Sequence, residues 1–271
     1  MKELNEYIIL NEPIIRVSFF ILTLLTMALL EYIIPKKELL LSKVKRWINN
    51  LCVVVLNTFL LKIIFASSAI MISIYVSENN IGLLNLFEIP FFFLVILSII
   101  LLDLIIYFQH RLFHEVDFFW KFHKVHHSDM DYDVTTGFRF HPIEIIISML
   151  IKIVSIFILG VPVIAVVIFE IILSSLALFN HSNIKLSTLL DKNLRYFVVT
   201  PDMHRIHHSI HSDELNSNYG FNLSVWDRIF NSYTNKPKDG YEKMIIGLKE
   251  FNNKTETVSI LSILSLPFRK S

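Results

Sequence analysis

The chain has 271 residues, 54% of them hydrophobic, a formal charge of +1 and a single cysteine, Cys52. It is more apolar than an ordinary soluble domain, and it lacks the basic footprint that nucleic-acid binding requires, so no nucleic acid is expected among its partners. One cysteine excludes a disulfide framework and any cysteine-ligated zinc or iron–sulfur site.

Gly (6) and Pro (8) are sparse against 23 Phe, which predicts helices with few breaks. A helix needs roughly 20 apolar residues to cross a bilayer. The first candidate runs from about Ile14 to Ile34. It is long and has no small-residue cleavage pattern, so it reads as a retained span and not a secretory signal. A second runs from Leu51 to Tyr75 and carries Lys62; a third runs from Leu86 to Phe108, with Asp103 near its end. Ile143 to Phe179 is a largely apolar run with Lys152 and Glu170 inside it, too long for one crossing and interrupted at Gly160-Val161-Pro162. That pattern predicts two helices turning at the break, a hairpin that need not cross fully. Lys62 and Lys152 are expected to snorkel or to face the bundle interior, with Glu170 pairing to Lys152 across the hairpin.

The loop between the first two spans holds Lys36, Lys37, Lys43, Lys45 and Arg46, whereas the connection before the third reads Ser77-Glu78-Asn79-Asn80. The positive-inside rule places the basic loop in the cytoplasm. Counting crossings then puts both large polar segments, Gln109 to His141 and His181 onward, on that same side.

Five of the eleven histidines fall between His110 and His127, and four between His204 and His211. His110 and His114 are four apart; His123, His126 and His127 form H-x-x-H-H, and so do His204, His207 and His208. Residues three or four apart project from one helix face, so each group aims its imidazoles in one direction. Several such helices facing one another make a nitrogen-lined cage, and imidazole suits iron, zinc, copper or nickel. Eight histidines exceed what one ion uses, so two ions are expected. His181, directly after the apolar hairpin, enters the cage from the membrane side as a ninth ligand. His141, just before Pro142, is either a further ligand or a helix-start residue bonded to backbone, and His211 lies outside the periodic pattern. Asp103 shares a helical face with Tyr107 and His110, which suits a carboxylate that accepts the second N–H of a ligating imidazole. A His-rich storage tract would be low-complexity; these histidines are set among Phe118, Phe119, Trp120 and Phe122.

Three function classes fit a histidine cage beside a membrane. An O2-dependent oxygenase needs a redox metal to break an unactivated C–H bond. A zinc-dependent membrane hydrolase typically needs only three protein ligands. A non-enzymatic haem or metal carrier would not need adjacent His-His pairs. O2 consumption coupled to lipid oxidation separates the first class from the others.

The stretches Asp103–His114 (DLIIYFQHRLFH), His123–Ser128 (HKVHHS), Arg139–Glu144 (RFHPIE), Asn180–Asn183 (NHSN), Thr200–Ser209 (TPDMHRIHHS) and Asn218–Phe230 (NYGFNLSVWDRIF) resemble, in order, the fatty acid hydroxylase superfamily, which includes the sterol desaturases. The resemblance implies an all-α membrane bundle with a cytoplasmic histidine-rich cap holding two iron ions, zinc being a possible substitute. It implies His110, His114, His123, His126, His127, His181, His204, His207 and His208 as ligands. Lys185 stands where some members have a further histidine, which leaves the site one ligand short or closed by Asn183, water or His141. The implied reaction hydroxylates or desaturates a fatty acyl, sterol-like or other isoprenoid lipid with O2. Without room for a fused cytochrome b5 domain, a separate donor of cytochrome b5, ferredoxin or flavin type is expected. The expected organisation is N-terminal spans over 1–100, the di-iron unit over 101–235 with its membrane hairpin, and a tail over 236–271.

Overall fold

The computed structural model describes residues 2–65, 69–251 and 257–269, with side chains from Tyr7 onward. Among these residues the protein is helical: no strand forms, and extended pairing is limited to the isolated bridges Pro35 with Ile184, Val198 with Leu223 and Ser209 with Ile246. The long helices are α1 (Lys2–Ile33), α2 (Lys43–Ile64), α3 (Ala69–Glu78), α4 (Phe91–Glu115), α5 (Asp117–His127), α6 (Pro142–Leu159) and α7 (Val163–Asn180). Shorter helices follow, of which α8 (Thr188–Leu194) and α9 (Pro201–His207) matter most.

Among the described residues, the helical stretches Tyr7–Ile33, Phe91–Glu115, Pro142–Leu159 and Val163–Asn180, and the stretch Lys43–Leu86 that holds α2 and α3, are long and apolar enough to cross a membrane. The chain is therefore a multi-pass membrane protein. Their outer faces are apolar, as on α1, where Ile14, Val17, Leu22, Leu25 and Leu29 are exposed; lipid, unlike water, suits such a surface. Inside, Ile70, Leu102, Ile106, Ile156, Val166 and Phe169 join α3, α4, α6 and α7 in one core.

The second expected span, Leu51–Tyr75, is two helices. α2 stops at Ile64, with Phe65 extended, and α3 begins at Ala69; residues 66–68 of that span lie outside the described residues. α3 packs on α6 and α7, while α2 packs on α6 and on the 134–138 turn. No Pro or Gly stands at Ile64 and Phe65, where α2 ends. The third span starts later than expected, after Pro90, and continues to Glu115, so His110 and His114 are carried on the spanning helix itself.

The hairpin turns where the sequence indicates. Gly160 caps α6 in the left-handed conformation (φ 72°), and Pro162 starts α7. Eighteen residues in each arm reach ~27 Å, just under a ~30 Å hydrocarbon core. Lys152 Nζ lies 2.9 Å from Glu170 Oε1, as expected across the hairpin, and Arg16 of α1 joins the pair at 2.8 Å. Lys62 is exposed near the end of α2.

The two ends of the bundle differ. At one end the turn after α3 touches the hairpin turn: a Cβ placed on Gly82 (φ 111°) would stand 2.2 Å from the Gly160 backbone nitrogen, and one on Gly160 would stand 2.4 Å from Ile81 O. At the other end the basic loop, the 109–141 segment and the chain beyond His181 pack together. Lys36 Nζ reaches Asp202 at 2.7 Å. The amides of Leu40 and Leu41 donate to Asp131 at 2.9 and 2.7 Å. All the histidine groups lie at this second end.

Gly160→Ala should destabilise the protein by at least ~2 kcal/mol, because left-handed backbone costs an L-residue ~1–2 kcal/mol before any clash is counted. The check is the thermal unfolding midpoint in detergent. A variant melting with the wild type would show that the two turns do not need their close approach.

Candidate metal centre

Four elements deliver the histidines. α4 carries His110 and His114 one turn apart near its C-terminus, and α5 carries His123, His126 and His127. α7 ends at Asn180 with His181 as its C-cap. α9 opens on Thr200, whose hydroxyl caps Met203 N at 3.3 Å, and carries His204 and His207, with His208 closing it. The nine rings meet as two adjoining groups: His110, His114, His123, His127 and His207, and then His126, His181, His204 and His208. Within each group the candidate ligand nitrogens all lie within 4.8 Å of one another.

The nitrogens that face each other identify what the groups suit. His110 Nε2 and His207 Nε2 are 3.0 Å apart, His123 Nε2 and His127 Nε2 3.2 Å, His126 Nε2 and His181 Nε2 3.1 Å, and His181 Nε2 and His204 Nε2 3.0 Å. Two imidazoles bound ~2.1 Å from one ion, at right angles, would hold their nitrogens ~3 Å apart. The tautomers point the same way. His110 Nδ1 donates to Tyr219 O at 2.8 Å, and His207 Nδ1 donates to Ser217 O at 2.7 Å. A carbonyl only accepts, so each Nδ1 bears the proton and each Nε2 presents a lone pair. Two lone pairs 3.0 Å apart repel unless a cation lies between them. Burial supplies the neutral form: it lowers the His123 imidazole to about 3, and it holds His126, His127, His204, His207 and His208 well below the usual histidine range. Among the described residues, neither nitrogen of His114 or His208 has a hydrogen-bond partner. The cluster is thus suited to hold metal ions.

The groups behind the ligands are not those the sequence suggested. Asp103 was expected to back a histidine, but its Oδ2 accepts from Leu223 N at 3.1 Å and from Trp226 Nε1 at 2.8 Å. Seven residues of helix separate Asp103 from His110 by ~10 Å, too far for a direct bond. Asp103 therefore acts on the 217–227 loop, and the loop acts on the histidines. Asn218 sits there with a left-handed backbone (φ 52°), a conformation Asn tolerates, and its side-chain amide donates to Met203 O and Thr234 O at 3.1 and 2.9 Å. The carbonyls on either side of it, Ser217 and Tyr219, receive His207 and His110. Asp227 Oδ2 accepts from Gly220 N at 2.9 Å and Oδ1 from Ser232 Oγ at 2.6 Å. Burial pushes the Asp227 carboxyl up to about 6.

The carboxylate that does meet an imidazole is Glu144, in the first turn of α6: His123 Nδ1 lies 2.6 Å from Glu144 Oε1. Nothing in its spacing from the histidines announced it; its one signal is that it closes the Arg139–Glu144 stretch. His181 Nδ1 is held by Ala177 O, one turn back, at 2.8 Å. His141 stands outside both groups as the N-cap of α6, its Nδ1 accepting from Ile143 N at 3.2 Å and its Nε2 facing Leu264 O at 3.3 Å. Asn183 also stands outside them: its Oδ1 accepts from Lys37 N and Arg205 Nη2 at 3.2 and 3.1 Å, and its Nδ2 donates to Lys37 O at 2.7 Å. His211 meets Asp239 at the surface, 2.7 Å away.

A buried ionic clamp fixes the chain immediately after His127. Arg46, 1% exposed, donates to both oxygens of Asp129 at 3.1 and 2.7 Å, to Thr136 Oγ1 at 3.2 Å, and to Asp133. Burial alone would raise the Asp129 carboxyl, but the guanidinium groups of Arg46 and Arg139 outweigh it and hold Asp129 below its ordinary range. Arg139 donates to Val125 O and Ser128 Oγ, each at 2.9 Å, and to Thr257 O. Glu31, at the end of α1, accepts from Val134 N and Asn183 N at 2.6 and 2.8 Å.

A cavity of about 420 Å³ opens from the histidines into the helical bundle. His110, His123, His126 and His204 close its upper end, and Phe20, Leu61, Ile106, Phe113, Phe138 and Leu173 are among its apolar walls.

Glu144→Ala should lower metal affinity by ~10–100-fold, the usual cost of losing the group that orients a ligating histidine; chelator competition measures it. Arg46→Met should cost ~3–5 kcal/mol, because it strands Asp129 and Asp133 as buried, unpaired charges. The measurement is the unfolding midpoint of the purified protein. An unchanged midpoint would show that the clamp is dispensable.

Residues 95–232 match the family model described as fatty acid hydroxylase. The chain is 32% identical over 149 residues to the ornithine lipid hydroxylase OlsE of Rhizobium tropici, covering 55% of this chain and 44% of that protein. It is 31% identical over 142 residues to the alkylglycerol monooxygenase of Xenopus tropicalis (52% and 30%), and 27% identical over 171 residues to that of Homo sapiens (57% and 33%). The chain thus spans less than half the length of the curated relatives it matches. No solved structure matches it. The family match takes in seven of the nine clustered histidines from His110 to His204 and the two that follow, together with Glu144 and the 217–227 loop, and on that match the protein belongs to the fatty acid hydroxylase family.

Proposed function

We propose that the protein is a histidine-ligated di-iron oxygenase that uses O2 to hydroxylate or desaturate a lipid C–H bond, with electrons from a separate donor of cytochrome b5, ferredoxin or flavin type. The observation that carries the reading is nine closely packed imidazoles, grouped five and four, at the head of a largely apolar cavity inside a membrane bundle. One hydrolytic zinc needs about three protein ligands and an open position, which leaves most of this cluster without a purpose. Two adjoining nests suit a pair of ions. The relatives named for lipid hydroxylation and alkylglycerol oxygenation support the same chemistry.

Iron, when bound, supplies O2 activation, which no side chain of the protein can provide. Hydroxylation then balances as R–H + O2 + 2 electrons + 2 protons giving R–OH and water. The chain's own contribution is positional. His110 and His207 are fixed through their Nδ1 protons by loop carbonyls, His181 by Ala177 O, and His123 by Glu144. Phe113, Phe138 and Phe140 line the cavity beside the cluster and exclude water from the reacting carbon. The basic loop Lys36–Arg46 packs at the histidine end, which favours a cytoplasmic active site by the positive-inside rule. On this reading the di-iron unit covers 101–235, the helices of 1–100 wall its cavity, and 236–271 is a tail closing over it.

His207→Ala should reduce lipid-dependent O2 uptake by at least ~100-fold and lower the iron content. Host lipids analysed by mass spectrometry after growth under labelled O2 should carry one labelled oxygen per hydroxylated product only when the active protein is present. Normal turnover by the alanine variant at normal iron content would sink the ligand assignment.

A further inference from the structure

Three residues that line the cavity each hold a buried acceptor oxygen with no hydrogen-bond partner among the described residues. Asn57 of α2 donates its Nδ2 to Phe140 O at 3.0 Å, and its Oδ1 is left unpaired. A carbonyl can only accept, so the amide orientation is fixed and the free atom is an acceptor. Gln109 of α4 donates to Ser148 Oγ at 3.0 Å, and its Oε1 is unpaired. Glu144 of α6 gives Oε1 to His123 and keeps Oε2 unpaired. All three residues line the cavity, and Asn57 and Glu144 are 7% and 3% exposed. Each is one step from the histidine cluster. Gln109 precedes His110, Glu144 holds His123, and Asn57 holds Phe140, whose ring stacks on His126 with centroids 4.4 Å apart.

A buried acceptor left unsatisfied costs ~1–3 kcal/mol, and three around one cavity imply a ligand that brings hydrogen-bond donors. Resting on the oxygenase reading, we infer that Asn57, Gln109 and Glu144 form a collar that receives the polar end of the substrate, a lipid head bearing two or more hydroxyl or amine hydrogens. The cavity, about 420 Å³, is near the low end for small-molecule sites and takes in one end of a lipid, not a whole two-tailed molecule. The collar selects the head-group end as the one admitted beside the metals. An unfunctionalised hydrocarbon tail in that place would leave the three acceptors dry and unpaired, which is how a site built for a hydroxyl or amine rejects an analogue lacking it.

The test measures binding of three single-chain probes to the iron-loaded full chain in nanodiscs: 1-O-hexadecylglycerol, its diamino analogue and its di-O-methyl ether, which keeps the shape but has no donor. Two hydrogen bonds should make the better donor probe roughly tenfold or more tighter than the capped ether, and the tighter of the two names the head group as hydroxyl or amine. Gln109→Met and Asn57→Leu should each shrink that ratio toward one, leaving the capped ether within about twofold and the iron content unchanged. Gln109→Met is the safer variant, because among the described residues the Gln109 side chain bonds to Ser148 Oγ alone. Equal affinities for all three probes, meaning that the collar holds only water, or a ratio that both variants leave intact, would overturn the assignment. O2 uptake judges the oxygenase reading separately: selective binding without lipid-dependent uptake would sink that reading and spare the collar.

Discussion

Nine imidazoles pressed together out of water make a cluster that the fold alone does not stabilise. His110 and His207 turn lone pairs toward each other at 3.0 Å, each with its proton committed to a loop carbonyl. No reorientation of one ring relieves this without breaking a bond on its far side. A divalent cation turns the same contact from repulsive to attractive, so metal binding and the folding of this end of the molecule draw on one free energy. Everything around the cluster serves to keep the rings neutral, oriented and dry.

That demand explains the outer layers. Backbone carbonyls and one carboxylate, not charged side chains in general, set the tautomers: Ser217, Tyr219 and Ala177 through their carbonyls, Glu144 through its side chain. A carbonyl orients a ring without adding net charge to the pocket. The elements that supply these carbonyls must then be rigid, and their rigidity comes from charges placed farther out. Asp103 and Asp227 hold the 217–227 loop, and Arg46 with Asp129 and Asp133 holds the segment that follows His127. These formal charges thus stand one layer behind the histidines, where hydrogen bonds offset their desolvation.

The parts legible in the sequence are those with a local period. Apolar runs gave the hairpin and its turn at Gly160-Val161-Pro162, the i, i+3, i+4 spacing picked out eight of the nine histidines that the structure brings together, and the place of His181 directly after the hairpin picked out the ninth. What the sequence did not reveal depends on contacts between distant residues. Arg46 meets Asp129 across 83 positions, and Leu223 and Trp226 meet Asp103 across 120 and 123. Asp103 shares a face with His110, and that periodicity is real, but a shared face says nothing of distance along the axis. The end of α2 at Ile64 was hidden for a related reason: the residues there carry no breaker, and α3 packs on the distant α6 and α7.

The cluster also joins two parts of the molecule. His110, His114 and His181 belong to the candidate membrane-spanning helices or their last residue, whereas His123, His126, His127, His204, His207 and His208 belong to short helices that are not candidate spans. Each group of rings contains members of both kinds. A metal in either group would therefore tie the outer helices to the spans, with the cavity mouth held at the seam between them. For the proposed oxygenase chemistry, a reactive centre at that seam would meet two needs at once: a lipid substrate from the apolar side, and electrons and protons from the aqueous side. A centre deep in the bundle would be cut off from its donor, and one out in the cap would have to lift a lipid into water. Only the boundary gives both short access, and the spanning helices reach it because α4 runs on through His114 instead of stopping where its apolar run ends.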